Sequence, residues 1–504
     1  MKRFLLILFA LIVILIGVLL FRALTLDSKQ IAATPAPAVA IDRDAAVARL
    51  SQSVQIRTVS SEWGAAASAA VPPAPRRPGA GVTAGEAPAL QFIAWLTLSY
   101  PRVHASLHRE LVGHDALLYT WPGSDPSLPP LLLMGHYDTV PVEPAGLAKW
   151  TQPPFSGAVV DGFIWGRGTL DDKLTVISLL EAAELLLAQN YSPKRTIYFA
   201  FGSDEEIGGT HGAAEIAKLL ASRRVKLDAV IDEGGLLTLG TIEGTSKPVA
   251  VIGIAEKGSA TIELLARGNG GHSSMPPHRT EVGAIAAAVD RVQQRPFDAG
   301  ISGASAAMFR WLAPEMPLER RVVMANLWLF EPVLEKQAKR STSFNAILRT
   351  TTAPTILSGG VKDNVIPSEA RAVINFRILP GDSVQKVVDH VKRAVDDPHV
   401  QVRLVEGWEP SPVSDAETPQ FSALQQTIMQ MFPEALVTPY LVVGATDGRY
   451  FRSLTPNVYR FVPVVMTRKD LERVHGIDER VSVDAYLEAI RFYRMLILNM
   501  GGSS

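Results

Sequence analysis

Apolar, strand-like runs that end in acidic or histidine side chains recur along this chain and constrain its fold more than any other feature. Such runs are predicted at residues 131–134, 196–201, 229–231 and 249–254, with a helix at 175–189 between the first two. Alternating strands and helices predict an α/β fold with a mostly parallel sheet flanked by helices. Because the carboxyl ends of parallel strands open into one crevice, the polar turns are expected to meet there.

The pattern changes after Lys257 and later returns. Segments 259–266 and 370–378 alternate apolar and polar residues, whereas a strand-like run at 458–461 and a helix at 483–498 resemble the first pattern again. The sequence therefore predicts a smaller α+β domain inserted into a larger one. The predicted boundaries are 42–257 and 407–504 for the two parts of the larger domain and 258–406 for the insert.

The N-terminus carries an uninterrupted apolar run at residues 4–21, behind Lys2 and Arg3. A spanning helix needs about 20 apolar residues, and no clear signal-peptidase site follows. We therefore predict an N-terminal transmembrane helix, an uncleaved signal-anchor within residues 1–26, over a cleaved signal peptide or a buried core helix. The positive residues keep the N-terminus cytoplasmic, so the protein is expected to be single-pass, with its folded part extracytoplasmic, which in a bacterium means periplasmic. Residues 27–41 are predicted to be an extended tether.

Composition excludes several classes of protein. The chain has 504 residues, 47% of them hydrophobic and 20% charged, which is typical of a largely globular protein with more than one domain. Its 49 Lys and Arg residues balance 50 Asp and Glu residues without a long basic run, so no nucleic-acid partner is expected. It contains no cysteine. Any metal must therefore be held by His, Asp and Glu.

Five separated motifs offer such ligands. Each has a structural alternative when taken alone, namely a buried histidine, a helix cap or a solvated loop. Repetition after successive strands favours a metal site, because like charges near a buried strand end are costly without a cation. Imidazole and carboxylate groups suit Zn²⁺, and a two-metal site needs a carboxylate shared between the ions. The residues are His136 with Asp138, Asp171, Glu205 with Glu206, Asp232, and His475.

These motifs, in this order, resemble the co-catalytic di-zinc metallopeptidase family that includes aminoacylase-1, carboxypeptidase G and succinyl-diaminopimelate desuccinylase. The stretch Trp165-Gly166-Arg167-Gly168-Thr169 and the residues before it are most similar to the branch of carboxypeptidase S and the N-fatty-acyl-amino acid synthase/hydrolase. The resemblance runs from about Ile56 to His475. It implies a zinc-peptidase core, an inserted lid or dimerisation domain, and two Zn²⁺ per subunit.

The resemblance also implies a set of metal ligands. His136 and Asp232 would bind one zinc, Glu206 and His475 would bind the other, and Asp171 would bridge the two.

Further roles follow from the same resemblance. Asp138 would orient the first imidazole, and Glu205 would be the general base. His272, in a Gly-rich stretch of the insert, would polarise the scissile carbonyl. The residues that would contact a substrate carboxylate are Asn364, Arg377 and Arg449.

The predicted function is that of a membrane-anchored di-zinc amidohydrolase. Its substrate would be an N-acyl amino acid or short peptide with a free carboxylate next to the scissile amide. A carboxypeptidase or dipeptidase is the first alternative, and a catalytically silent binding protein on the same fold is the second. The non-ligand Glu205 counts against the second. Family members often form homodimers through the insert, but the long segment 297–355 leaves the oligomeric state open.

Overall fold

The computed structural model describes residues 1–60, 88–301, 303–338 and 341–502. The chain divides into two compact units. The lid unit comprises Met1–Ser28, Ala255–Val413 and Pro439–Ala445, and the sheet unit comprises Lys29–Ile254, Ser414–Thr438 and Thr446–Ser504.

The described residues contain strands of very different lengths. They are β1 (His108–Val112), β2 (Ala116–Trp121), β3 (Leu131–His136), β4 (Val159–Val160), β5 (Phe163–Trp165), β6 (Ile197–Gly202), β7 (Ala229–Asp232), β8 (Leu236–Thr238), β9 (Val249–Glu256), β10 (Gly258–Arg267), β11 (Gly271–His272), β12 (Thr351–Gly359), β13 (Val365–Ile366), β14 (Glu369–Ile378), β15 (Val400–Trp408), β16 (Leu436–Val442), β17 (Val458–Arg460), β18 (Val465–Met466) and β19 (Arg480–Ser482).

The α-helices of the described residues are distributed over both units. They are α1 (Lys2–Leu24), α2 (Arg43–Gln55), α3 (Pro88–Ser99), α4 (Pro101–Ser106), α5 (Lys173–Ala188), α6 (Ala213–Ser222), α7 (Glu281–Gln294), α8 (Gly303–Leu312), α9 (Leu318–Ala325), α10 (Leu327–Ala338), α11 (Thr342–Leu348), α12 (Val384–Val395), α13 (Pro419–Met431), α14 (Arg468–Leu471) and α15 (Val483–Gly501).

The main sheet has the strand order β1-β2-β6-β3-β7-β17-β9-β8-β18, and β16 also pairs with β9. Its centre, β6-β3-β7-β17, is parallel. Every residue of β3 and β7 is buried, as expected for parallel strands covered on both faces. The predicted fold class is confirmed, with antiparallel pairs such as β1–β2 and β2–β6 added at the edge. The ends of β3, β6 and β7 therefore lie side by side.

The lid unit is built on an antiparallel sheet with the order β12-β14-β10-β15. Helices α7 and α12 pack on it, and the shared core includes Ile262 and Ile374 from the sheet with Ile285 and Val391 from the helices. Between α7 and β12 the chain forms four further helices, α8 to α11, which fill most of the enlarged segment noted in the sequence.

The N-terminal apolar run forms α1, whose side chains are almost all exposed. Within the described part of the chain, α1 is the single helix long and apolar enough to cross a bilayer, a property that a membrane span and a signal sequence share. Residues 27–41, predicted as a tether, have no helix or strand but are held at several points. Gln30 exchanges hydrogen bonds with the backbone of Val437, and the Ala36 N–H donates to the Gln430 carbonyl. This part of the chain therefore lies against the sheet unit.

Candidate metal centre

His136 lies at the carboxyl end of β3 and is buried. Its Nδ1 is 3.3 Å from Asp138 Oδ1, and its Nε2 is 2.9 Å from Asp171 Oδ1. The Asp138 carboxylate also accepts the backbone N–H groups of Glu205 and Glu206, at 3.2 and 3.1 Å. Asp138 therefore connects the imidazole at the end of β3 to the acidic turn that follows β6.

Asp171, in the turn before α5, lies between two imidazoles. Its Oδ1 faces His136, and its Oδ2 is 3.0 Å from Nε2 of His475, which is also 3.2 Å from Glu206 Oε1. Although burial opposes ionisation, hydrogen bonds from both histidines hold the pKa of the Asp171 carboxyl below its usual value. One carboxylate thus presents one oxygen to each histidine, which is the arrangement that a bridging ligand requires.

Among the described residues, two sets of three side chains each bring their ligand atoms within 4.8 Å of one another. One set is His136, Asp171 and Glu206, and the other is His136, Glu205 and Glu233. Burial, together with the surrounding carboxylates, raises the pKa values of Glu205 and Glu233 well above the usual range for a glutamate. The site therefore concentrates negative charge where solvent cannot screen it.

Glu233 was not singled out in the sequence, although it stands beside Asp232 at the end of β7. Asp232 is also buried, and its Oδ2 accepts a 2.6 Å hydrogen bond from the Gly448 N–H. Asp232 is close enough to raise the pKa of Glu233. The structure thus brings both acids of this turn to the cluster and groups Glu233 directly with His136.

A buried ion pair joins the two segments that carry Asp171 and His475, and sequence reasoning missed it. Arg167 Nη1 is 2.5 Å from Glu479 Oε2, and Arg167 Nη2 donates to the His475 carbonyl at 3.0 Å. Glu479 Oε1 accepts the N–H groups of Gly168 and Leu170, both at 2.9 Å. These contacts fix the backbone on either side of the cluster, including His475 with its unusual φ of 59°.

Residues 132–499 match the sequence profile of Peptidase family M20/M25/M40. The chain belongs to this family. It is 44% identical over 415 residues to the human N-fatty-acyl-amino acid synthase/hydrolase PM20D1, covering 81% of this chain and 82% of the relative. It is 42% identical over 413 residues to the probable carboxypeptidase S-like 2 of Dictyostelium discoideum, covering 81% and 79%.

Solved structures of the M20 family share the fold. Human carnosine dipeptidase 1 superposes with a TM-score of 0.62 at 16% identity, covering 91% of this chain and 96% of that one. The metallo-carboxypeptidase Sso-CP2 of Sulfolobus solfataricus gives a TM-score of 0.62 at 18% identity, covering 90% and 98%. The predicted family and branch are confirmed, and the chain is a hydrolase of the M20 family.

M20 peptidases depend on metal ions, and the residues of this site fit such ions. The donors are imidazole nitrogen and carboxylate oxygen, the set that Zn²⁺ accepts in proteins. Asp447, another residue missed in the sequence, lies beside them, and neither of its buried carboxylate oxygens has a hydrogen-bond partner among the described residues. Burial and the charge of Asp232 raise its pKa. A cation would compensate both the repulsion between carboxylates and these unsatisfied oxygens.

Arg449, predicted to contact substrate, lies on the sheet unit next to the acidic turn. Its Nη2 donates to the Gly208 carbonyl at 2.6 Å, and its guanidinium lies 4.8 Å from the centre of the Tyr450 ring. The hydrogen bond thus fixes the backbone at Gly208, two residues after Glu206.

The remaining predicted residues of this M20 enzyme lie in the lid unit. His272 of β11 pairs with Val365 of β13, and the Ser273 N–H donates to the Asn364 carbonyl at 3.1 Å, so His272 and Asn364 are neighbours. Arg377 pairs with Ser259 near the far end of β14. It follows Glu369 by eight residues, an extended distance of about 26 Å. The length of β14 therefore lies between Asn364 and Arg377 along the chain.

Proposed function

We propose that this M20 hydrolase is a membrane-anchored di-zinc amidohydrolase that cleaves N-acyl amino acids. The observation that carries the di-metal assignment is the position of Asp171, with one carboxylate oxygen toward His136 and the other toward His475. In this proposal His136 and Asp232 bind one zinc, with Glu233 as a further carboxylate near it. Glu206 and His475 bind the other.

The residues around this pair of sites would divide the chemistry of amide hydrolysis. Zinc held by these ligands would supply a water activated near neutral pH and a Lewis acid for the amide carbonyl. Glu205 would take the proton of the attacking water and pass it to the departing amine, a role that suits a buried carboxyl with a raised pKa. Asp138 would hold the His136 imidazole, and His272 would donate to the oxyanion that develops on the substrate.

Two observations support the choice of substrate. The relatives include a protein named for N-fatty-acyl-amino acid synthesis and hydrolysis. A cavity of about 690 Å³ opens beside His475, and charged residues outnumber apolar ones in its lining, which includes Arg473 and Arg480 together with Trp150 and Ile477. Its arginines suit a substrate carboxylate, and Trp150 and Ile477 offer apolar contact beside them.

The location is proposed from α1. It is 23 residues long and begins with the basic residues Lys2 and Arg3, so its orientation would place both folded units outside the cytoplasm. A homodimer through the lid unit stays a prediction, and the mass of the detergent-solubilised protein would test it.

The test of the proposed substrate is a comparison of kcat/KM for three compounds: a long-chain N-acyl-phenylalanine, its methyl ester and an unblocked dipeptide. The N-acyl amino acid should be cleaved best, and the ester should be a poor substrate because it lacks the carboxylate. The Glu205→Gln variant serves as the control for contaminating activity.

Each other result would change the proposal in a defined way. A strong preference for the dipeptide would transfer the function to a dipeptidase or carboxypeptidase, which the carboxypeptidase S-like relative makes the first alternative. Equal cleavage of acid and ester would remove carboxylate recognition. Binding of the acid without turnover by the zinc-loaded protein would support the silent binding protein.

A further inference from the structure

Helix α9 of the lid unit and the residue that follows it lie against the carboxyl-terminal part of α1. The buried Asn326, between α9 and α10, donates from Nδ2 to the Leu19 carbonyl at 3.1 Å. Arg22 Nε donates to the Ala325 carbonyl at 3.3 Å. Both contacts lie within the last two turns of α1, so the start of α10 is fixed at the level where α1 ends.

Exposed apolar residues lie on α10 and, at one position, on α9. Trp328 and Val333 of α10 are 58% and 59% exposed, Leu329 is 37% exposed, and Leu318 of α9 is 48% exposed. On α10 the three residues lie within about 140° of helix rotation, opposite the buried Leu334 and Ala338. We call Trp328, Leu329 and Val333 the α10 face. Apolar side chains grouped in this way are normally covered by a partner or a membrane.

The position of the α10 face relative to α1 indicates what covers it. At about 1.5 Å per residue α1 is about 35 Å long, enough to cross a hydrocarbon core of about 30 Å. Leu19 and Arg22 would then lie near the boundary at which α1 leaves the bilayer. Tryptophan is enriched at that boundary, where its ring is half in the apolar region and half in the headgroup region.

We propose that the α10 face lies in the outer interface of the same bilayer that α1 spans. This inference rests on the membrane anchor of the proposed function and is independent of the enzyme's substrate. Charged side chains beside the face have both signs, with Arg321 and Lys336 close to Glu331 and Glu335 in the sequence. The association is therefore driven by burial of apolar surface and does not require anionic lipid.

The absence of cysteine from the chain makes a direct test practical. Single cysteines are introduced in the full-length protein as Trp328→Cys and Val333→Cys, labelled with a nitroxide and reconstituted in nanodiscs of zwitterionic phospholipid. Two further variants are matched controls: Ile12→Cys within α1, and Leu357→Cys on β12 of the same unit, which is 66% exposed. Spin-label accessibility to oxygen and to a water-soluble nickel chelate reports whether each site meets lipid or water.

The inference predicts that labels at 328 and 333 behave like the label at 12, with an oxygen-to-nickel accessibility ratio several-fold above that of the label at 357. If 328 and 333 match 357 while 12 reports lipid, the inference is wrong and the anchor stands. If 12 reports water, the anchor and the inference both fail. If 328 and 333 are shielded from both reagents, a second copy or another protein covers the face and the inference is again wrong. Amide hydrolysis by the same samples tests the proposed function separately.

Discussion

In the sheet unit the predicted functional side chains are crowded together, with His136, Asp138 and Asp232 buried and His475 exposed, whereas in the lid unit His272 is exposed on a short two-stranded ribbon. His136 is 1% exposed and contacts two carboxylates. His272 Nδ1 instead lies 2.8 Å from the hydroxyl of Ser274, two residues further along the chain. The first group depends on partners from distant parts of the chain, and the second makes its contacts locally.

The difference in burial and charge between the two units shows which side chains need a bound ligand to be stable in their observed positions. Buried carboxylates that repel one another are costly unless a cation is present, so the crowded acids of the sheet unit indicate a candidate metal site. An exposed histidine with a local hydrogen bond is stable as it is. Its burial and contacts therefore do not by themselves point to a ligand, and its proposed role is tested by substitution.

The largest effects are expected from substitutions at Asp171, the proposed bridging ligand of the sheet unit, and at Glu205, its proposed general base. Asp171→Ala should lose most bound zinc, because Asp171 is proposed to bind both ions. Glu205→Gln should retain zinc and still lose activity by about 10²–10⁴-fold, since it removes only the general base. Metal analysis with kcat measurement on each purified variant checks this. Equal zinc loss in the two variants would show that Glu205 is a ligand.

His272→Ala should lower kcat by about 10²–10³-fold with zinc content unchanged, because the residue is proposed to stabilise the oxyanion and to touch neither metal. Ser274→Ala, which removes only the local partner of the imidazole, is the matched control and should have a much smaller effect. An unchanged kcat in His272→Ala would remove the lid histidine from the mechanism.

A smaller effect is expected from the ion pair that holds the metal-binding segments. Glu479→Gln keeps the shape of the side chain but weakens its contacts with Arg167, so zinc affinity should fall by about 10–100-fold. The d–d spectrum of the cobalt-substituted variant should change as well. Glu110→Gln is the control, because its pair with Arg223 lies at 2.5 Å on the surface. Wild-type affinity and spectrum in Glu479→Gln would leave the pair with a purely structural role.

A separate effect, on stability and not on activity, concerns the pH dependence of unfolding in the lid unit. Lys257 Nζ donates to the carbonyls of Ala346 and Arg349, and burial together with the charge of Arg377 lowers its pKa from 10.5 to about 7. Between these values the unfolded chain binds more protons, so Lys257 makes the free energy of unfolding rise with pH.

Denaturant unfolding of the full-length protein in detergent at several pH values from 7 to 10 measures this contribution. Lys257→Met should show a shallower rise in stability than the wild type, and Lys392→Met, at an exposed position of α12, should not. Parallel curves for wild type and Lys257→Met would mean that Lys257 keeps an ordinary pKa.

Much of the fold could be predicted because buried parallel strands are continuous apolar runs. The predicted strand at 229–231 is β7, Ala229–Asp232, and the predicted helix at 175–189 overlaps α5, Lys173–Ala188. The antiparallel edge of the main sheet was not predicted, since pairing direction depends on contacts between strands that are distant in sequence.

The site was predictable to the extent that its residues directly follow strands. Glu233 was missed because two adjacent acids are equivalent in sequence, and the backbone at the strand end decides how each faces the cluster. The pair Arg167–Glu479 joins residues 312 positions apart without any local pattern. The separation of Arg377 from Asn364 follows from the length of β14 between them, which motif spacing does not reveal.

The most direct test of a di-metal centre built on Asp171 is zinc stoichiometry. The full-length protein is stripped with a chelator and titrated with Zn²⁺, while bound metal and hydrolysis of a long-chain N-acyl-phenylalanine are followed together. We predict that activity is lost on stripping and returns as two zinc ions bind per chain, and that anomalous scattering locates them on either side of Asp171. Full activity in the stripped protein, or a single zinc away from Asp171, would contradict the account.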